Sequence, residues 1–294
     1  CRFKKLWTNK EKPDNRKSFR KIELEKELSH TLRRGNEHRI NIPSLGLGVW
    51  GTSKDKTEKI VTTAINYGYK HIDTAQIYGN EREVGKATKG MEEIFITTKL
   101  WENNFGYEKA IRTCEESLSK LNKIDLFLMH SPHGTDIRKE TWEAMQYLLR
   151  NKYVNAIGVS NFGIHHIKEI FSWAEIGPCI NQIELSPFLQ RRELVNFCTD
   201  NGITTTAYSP LTHGIRIDDK RLVEIGKEYK KSSVQILIKW SLQKGNIVIP
   251  KSNNNERIKE NIEVFDFTIE HNHMEVLDAL EEGFVTCWDP TTDP

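Results

Sequence analysis

Four residues suited to proton chemistry, Asp73, Tyr78, Lys99 and His130, fall at or just past the ends of three successive apolar runs, 71–75, 94–100 and 124–130. A phenol titrates near pH ~10 and is a poor acid at neutral pH unless a nearby cation stabilises the phenolate. Lys99 is the cation at hand. Asp73, paired with Lys99, would keep that ammonium charged where burial would otherwise discharge it. A carbonyl held between Tyr78 and His130 would be polarised, accept a hydride at carbon and take its proton from Tyr78 as general acid. Each residue also has a structural explanation: a helix cap for Asp73, a half-buried aromatic for Tyr78, a surface charge for Lys99, a satisfied core imidazole for His130. Their shared position at run ends argues against four coincidences.

A second candidate follows the run 247–250, where Lys251, Ser252, Asn253, Asn254 and Asn255 precede a short helical pattern holding Arg257, Glu260 and Asn261. An Asn cluster can cap a helix whose exposed N–H groups and positive dipole end would face an anion. Lys251 and Arg257 add two cations, and an arginine fork suits phosphate oxygens. A basic loop paired with Glu256 and Glu260 is the competing reading.

These residues are positioned by eight short apolar runs, 45–49, 71–75, 94–100, 124–130, 156–160, 180–185, 204–208 and 247–250, separated by amphipathic stretches. In the stretch 107–121, Ala110 or Ile111, Cys114, Leu118 and Leu121 recur at helical spacing. In 138–150, Trp142, Met145, Leu148 and Leu149 share a face. Eight such units, with no linker between them, predict an α/β fold, a closed (β/α)8 TIM barrel whose chemistry sits on the loops after the strands. A polar hairpin, 30–33 and 38–42 about Arg34-Gly35-Asn36, precedes it. The C-terminal tail, 283–294 with Trp288, is expected over the barrel mouth.

The chain has 294 residues, with 43 Lys plus Arg against 41 Asp plus Glu. Near-balance argues against a nucleic-acid binder, and no apolar run approaches the ~20 residues of a membrane span. Residues 1–40 carry 13 basic and 6 acidic side chains, leaving a mildly acidic body. We therefore divide the chain into a basic N-terminal extension, 1–29, read as disordered or incomplete, and one barrel domain, 30–294. Five scattered cysteines without a C-x-x-C fit a reducing compartment, and a cytoplasmic location is expected.

Three motifs compete for other readings. Gly46, Gly48 and Gly51 spell G-x-G-x-x-G ahead of Asp73, as a dinucleotide fold would. Val49 and Trp50 fill the positions that need small residues, however, and helical periodicity starts only after Ser53. Close-packed strand glycines are the reading preferred here. His130, His133 and Asp136 have a metal-like spacing, but Pro132 and Gly134 break any helix that could align them, so no metal is expected. His165-His166 opens a helix and is read as a capped, solvated turn.

Taken together, His71-Ile72-Asp73-Thr74-Ala75, Tyr78-Gly79-Asn80-Glu81, Thr97-Thr98-Lys99-Leu100-Trp101, Gly158-Val159-Ser160-Asn161-Phe162, Tyr208-Ser209-Pro210-Leu211 and Ile249-Pro250-Lys251-Ser252 resemble the signatures of the aldo-keto reductases, over roughly residues 30–294. The resemblance implies a barrel that binds NADPH (NADP+) across its mouth without a Rossmann domain. It implies Tyr78 as acid and base, Asp73 and Lys99 as its tuners and His130 as the substrate-orienting group. Ser160, Asn161 and Gln182 would bind the carboxamide, Tyr208 would stack on the nicotinamide, and Ser209 and Leu211 would line the pyrophosphate path. Lys251, Ser252, Asn253, Arg257, Glu260 and Asn261 would hold the adenosine end, with Lys251 and Arg257 on the 2′-phosphate. Trp50, Trp101, His130 and Ser131 would line the substrate pocket. Ser131 stands where the family often has Trp, which removes a pocket wall. The loop 211–217 is short, so any clamp over the cofactor would be modest.

The resulting expectation is an NADPH-dependent reductase of small-molecule aldehydes or ketones, monomeric, with no nucleic-acid or membrane partner. Two alternatives are an NADPH-binding regulatory or structural barrel with little turnover, and a phosphate-binding barrel isomerase or lyase.

Overall fold

The structure, a computed structural model, describes residues 29–34 and 38–294. The extension expected over 1–29 lies outside the described residues except for Ser29, as do Gly35 and Asn36 of the expected turn. The hairpin itself is present as β1 (Ser29–Arg34) and β2 (His38–Pro43), antiparallel with Ser29 opposite Pro43 and Arg34 opposite His38.

The eight apolar runs form eight parallel strands paired in chain order: β3 (Leu47–Gly48), β4 (His71–Asp73), β5 (Phe95–Leu100), β6 (Leu126–Met129), β7 (Ala156–Ser160), β8 (Ile180–Glu184), β9 (Thr204–Tyr208) and β10 (Ile247–Val248). Leu45 bridges in parallel to Val248, Gly46 N–H donates to the Val248 carbonyl at 2.9 Å and Gly48 N–H to the Pro250 carbonyl at 3.1 Å. These bonds close the ring into a (β/α)8 barrel. The strands are shorter than the runs. Pro250, for example, has no N–H to contribute to a ladder, and β10 ends at Val248.

Helices α1 (Lys54–Asn66), α2 (Glu81–Ala87), α3 (Tyr107–Leu121), α4 (Thr135–Arg150), α5 (Ile164–Trp173), α6 (Arg192–Asp200) and the pair α7 (Lys220–Tyr229) and α8 (Ser233–Gln243) lie between the strands. After β10 come α9 (Asn255–Ile262) and α10 (His271–Asp278). Helix α3 has the expected bounds. Helix α4 starts at Thr135, three residues before the expected Arg138, which is buried, its Nε donating to the Pro132 carbonyl at 2.8 Å and its guanidinium pairing with Glu169. No helix of the described residues is long and apolar enough to cross a membrane.

Strand alternation sends successive side chains to opposite faces, and that decides where the chemistry points. On β6, Phe127 and Met129 join the layer beneath the helices, while Leu126 and Leu128 join a separate cluster with Phe95, Ala156, Ile180 and Ile247. That second cluster fills the barrel interior at the strand N-termini, and Ile42 of β2 caps it. The hairpin therefore plugs the closed end. Counting in twos from these interior residues reaches Lys99 on β5, His130 after β6, Ser160 on β7, and Gln182 and Glu184 on β8, all toward the opposite, open end.

The G-x-G pattern belongs to this packing. A methyl group at Gly46 would lie 2.5 Å from His71 Nδ1, and one at Gly48 would lie 3.0 Å from the Ile249 carbonyl oxygen. The His71 ring cannot swing clear, since it is buried and its Nε2 is bound to Thr97 Oγ1 at 2.9 Å. Gly46→Ala is therefore expected to lower the unfolding free energy by about 1–3 kcal/mol through overpacking, measured by urea denaturation.

Candidate active site

Lys99 Nζ lies 2.5 Å from Asp73 Oδ1, 2.9 Å from the Thr74 carbonyl and 3.4 Å from the Tyr78 hydroxyl. Asp73 Oδ2 accepts from Gln182 Nε2 at 2.7 Å. Asp73 and Lys99 are almost wholly buried. Burial pushes the Asp73 carboxyl up and the Lys99 ammonium down, and their mutual attraction works against both shifts. β4 and β5 supply the two residues and β8 supplies the amide, so the charge network spans the barrel.

Tyr78 reaches this network from a 3₁₀ turn, Gln76–Tyr78, ended by Gly79 in the left-handed region at φ +69°. Asn80 holds the turn. Fully buried, it accepts from Thr74 Oγ1 at 2.8 Å and donates to the Val49 carbonyl at 3.1 Å, tying the loop after β4 to the loop after β3. Lys99 was expected to make the phenol more acidic, and the structure reverses that expectation. Burial, then the Asp73 charge, then Cys287 raise the Tyr78 pKa well above its ordinary value. Tyr78 therefore carries its proton at neutral pH.

His130 meets the Trp101 ring edge-on at 5.2 Å and the Tyr78 ring at 5.8 Å between centroids. Burial and the Lys99 charge push its pKa well below the ordinary value, so the imidazole is neutral. Its Nδ1 is buried without a partner.

The residues expected along the mouth fall into place unevenly. Ser160 Oγ donates to the Gln182 carbonyl at 2.9 Å, and Asn161, at φ +65°, donates to the His130 carbonyl and accepts from the Tyr208 hydroxyl at 2.8 Å. Gln182, expected to bind a carboxamide, has its Nε2 donating to Asp73 Oδ2. Ser209 Oγ lies 3.1 Å from His213 Nε2 and 3.2 Å from Cys287 Sγ, and Leu211 is partly buried against the core. Around α9, Asn254 caps the helix by accepting from Arg257 N–H at 3.0 Å, Ser252 Oγ accepts from Asn254 N–H, and Asn253 accepts from Thr52 Oγ1 at 2.8 Å. Lys251 and Arg257 are exposed and form no ion pair among the described residues; Glu260 is half-buried. Asn261 is buried, with its Oδ1 unpartnered.

On the substrate side, Trp50 is 57% exposed and leans on His213, its ring centroid 5.9 Å away. Ser131 departs from expectation: it is fully buried and its hydroxyl donates to Glu102 Oε2 at 2.8 Å, so it offers no exposed surface to a substrate. The C-terminal segment does cross that end. Glu184 accepts from Thr286 N–H, from the Thr286 hydroxyl and from Cys287 N–H; Asp289 pairs with Arg191 at 2.8 Å. His133 bridges Glu102 and Asp293 at 3.0 Å each. His166 corrects a further expectation, being buried instead of solvated. Its Nδ1 accepts from Gly163 N–H at 2.9 Å and its Nε2 bonds the Asp293 carbonyl at 2.7 Å.

Residues 44–282 match the model of the Aldo/keto reductase family. The chain belongs to that family. Among its relatives, glyoxal reductase of Bacillus subtilis is 40% identical over 250 residues, covering 83% of this chain and 90% of that protein. The 9,11-endoperoxide prostaglandin H2 reductase of Trypanosoma cruzi is 43% identical over 253 residues, covering 83% and 89%. Among solved structures, a Bombyx mori aldo-keto reductase in complex with NADP superposes with a TM-score of 0.82 at 33% identity, covering 89% of this chain and 95% of that one. A variant of Gox0644 in complex with NADPH gives 0.85 at 36%, covering 90% and 99%. This family member is thus an oxidoreductase by descent.

Some contributors were invisible in the sequence. The Glu184 carboxylate as anchor of the tail, and the meeting of His213 with Cys287 at 3.1 Å, join segments far apart in the chain. Asn80 lies inside a signature already singled out, yet nothing in its spacing reveals the loops it joins.

Lys99→Met would leave Asp73 buried without its cation. It should cost about 3–5 kcal/mol at neutral pH. The Asp73 pKa, already raised by burial, would rise further, so the variant should regain stability as pH falls through that raised value and lose it as pH rises. Thermal melting across a pH series checks both the size and the sign.

Proposed function

We propose that this chain is an NADPH-dependent reductase of aldehydes and ketones. The observation that carries the reading is the Tyr78 hydroxyl 3.4 Å from a buried, carboxylate-paired Lys99, with the His130 ring alongside. Two solved relatives hold NADP or NADPH. The residues here suit the same cofactor: Asn261 Oδ1, unpartnered among the described residues, can accept from an adenine amino group, and Lys251 and Arg257, without ion-pair partners among those residues, can meet a phosphate. Tyr208, half-buried and held at its hydroxyl by Asn161, offers a ring face for a nicotinamide. Ser160, Asn161 and Gln182 line the end nearer Asp73, and Ser209 and Leu211 the stretch between.

Reduced nicotinamide, when bound, supplies the hydride to the carbonyl carbon. Tyr78 donates its proton to the carbonyl oxygen. His130, with Nδ1 sealed off, carries its proton on Nε2 and donates a hydrogen bond to the same oxygen, withdrawing charge as it builds. Lys99 stabilises the phenolate left behind, and Asp73 keeps Lys99 charged. Trp50 and Trp101 provide apolar walls for the substrate. Alcohol oxidation is the same path reversed, with Tyr78 accepting the proton.

Loss of absorbance at the reduced nicotinamide band with a small aromatic aldehyde tests the reading directly. Tyr78→Phe should lower kcat by about 10²–10⁴-fold while NADPH binding persists. Since the Tyr78 pKa is raised, reduction should hold steady through neutral pH and decline only in strongly alkaline solution as the phenol ionises. A decline centred well below the ordinary phenol value of about 10 would point to another acid.

The coenzyme preference has its own test. Arg257→Ala should weaken NADPH binding by about 1.5–3 kcal/mol, the value of a hydrogen bond to a charged group, and leave NADH nearly unchanged. Equal losses, read by titration of protein fluorescence, would remove the 2′-phosphate from this assignment.

A further inference from the structure

Gln76 opens the turn that carries Tyr78, and every hydrogen-bonding site of its side-chain amide is used. Nε2 donates to the Thr113 carbonyl and to Ser117 Oγ, both on α3 at 3.2 Å. Oε1 accepts from the Trp101 backbone N–H at 3.0 Å and from Asn104 Nδ2 at 2.8 Å. One half-buried side chain thus joins three segments: the Tyr78 turn, the loop after β5 and the helix behind both.

The Trp101 indole lies against His130, and His130 lies against Tyr78. Tyr78 is two residues from Gln76, and Gln76 holds the Trp101 backbone. The four residues therefore form a closed circuit, with aromatic edge contacts on the side of the open end and one amide behind. We propose that Gln76 is a positioning residue, setting the distance between the Tyr78 acid and the Trp101 wall and so selecting among carbonyl substrates by the bulk of the group beside the carbonyl. This rests on the reductase reading for its consequence, though not for its geometry.

The chemistry of the amide explains why an isosteric apolar residue cannot replace it. A leucine would leave the Trp101 N–H and the Asn104 amide without their acceptor in a partly buried place, and the loop would move to find water or another partner. A carboxylate would keep both acceptor bonds to the Trp101 loop and lose the two donor bonds to α3. The two substitutions thus separate the wall from the helix. A substrate large enough to touch the indole should notice the first change; a short aliphatic aldehyde should not.

The experiment compares Gln76→Leu, Gln76→Glu and Ser117→Ala, the last removing one α3 bond without touching the Trp101 loop. Two readouts are taken: hydrogen exchange at the Trp101 amide, and KM and kcat for benzaldehyde against propanal. Q76L should speed exchange at Trp101. It should raise KM for benzaldehyde on the order of tenfold and that for propanal by less than about twofold, within what displacement of a positioned group can cost. NADPH affinity should not change. Q76E and S117A should keep the slow exchange and the wild-type preference between the two aldehydes. Gln76→Met, also without an acceptor, carries the same expectation if Q76L does not fold. Unchanged exchange in Q76L, equal shifts in Q76L and Q76E, or parallel losses for both aldehydes would overturn the proposal. If the wild-type protein reduces no aldehyde, the reductase reading falls, and exchange at Trp101 alone decides whether Gln76 holds that wall.

Discussion

An ammonium and a carboxylate 2.5 Å apart, almost without solvent, set the strictest condition on this molecule. Removing two charges from water costs several kcal/mol each, and their attraction recovers that only if the geometry is good and the leftover donors and acceptors are filled. Here Gln182 donates to the second carboxylate oxygen and the Thr74 carbonyl accepts a hydrogen bond from the ammonium. These partners come from β4, β5 and β8, so the pair is tolerable only in a closed barrel that brings the three strands' ends together. The ring bonds between β10 and the segment around Leu45 therefore bear on the charge network as much as on the sheet.

The same network decides what Tyr78 can do. A buried phenol close to the Asp73 carboxylate, in a site that disfavours any further charge, keeps its proton. That state suits a group whose task is to give a proton away at the moment negative charge appears on a substrate oxygen. Neutral His130 follows the same rule, since burial and the Lys99 charge both oppose protonating it.

Fastening across long sequence separations recurs at the C-terminal segment. The buried Glu184 carboxylate takes its N–H and O–H donors from Thr286 and Cys287, and His133, His166 and Arg191 secure the residues that follow. Detaching the segment would cost Glu184 these donors, which water would then have to replace. The segment is thus held over the open end by polar satisfaction more than by apolar contact, with Trp288 remaining 45% exposed.

Helix α3 was legible because its apolar residues recur at a helical interval, and the eight strands were legible because eight short apolar runs alternate with helices and no linker divides them. Asp73, Lys99 and His130 were legible for a related reason: strand alternation and strand ends are properties of local order, and they put polar residues at one end of the ring. The burial of Arg138, Ser131 and His166, the commitment of Gln182 to Asp73 and the direction of the Tyr78 pKa were not. Each depends on a partner distant in the chain, such as Glu169, Glu102 or Asp293, or on how much water reaches the group. Order along the chain determines periodicity, and so which elements form and which way their side chains turn. Only the closed tertiary structure determines distance and desolvation, and these set the partner of each polar group and the proton it holds.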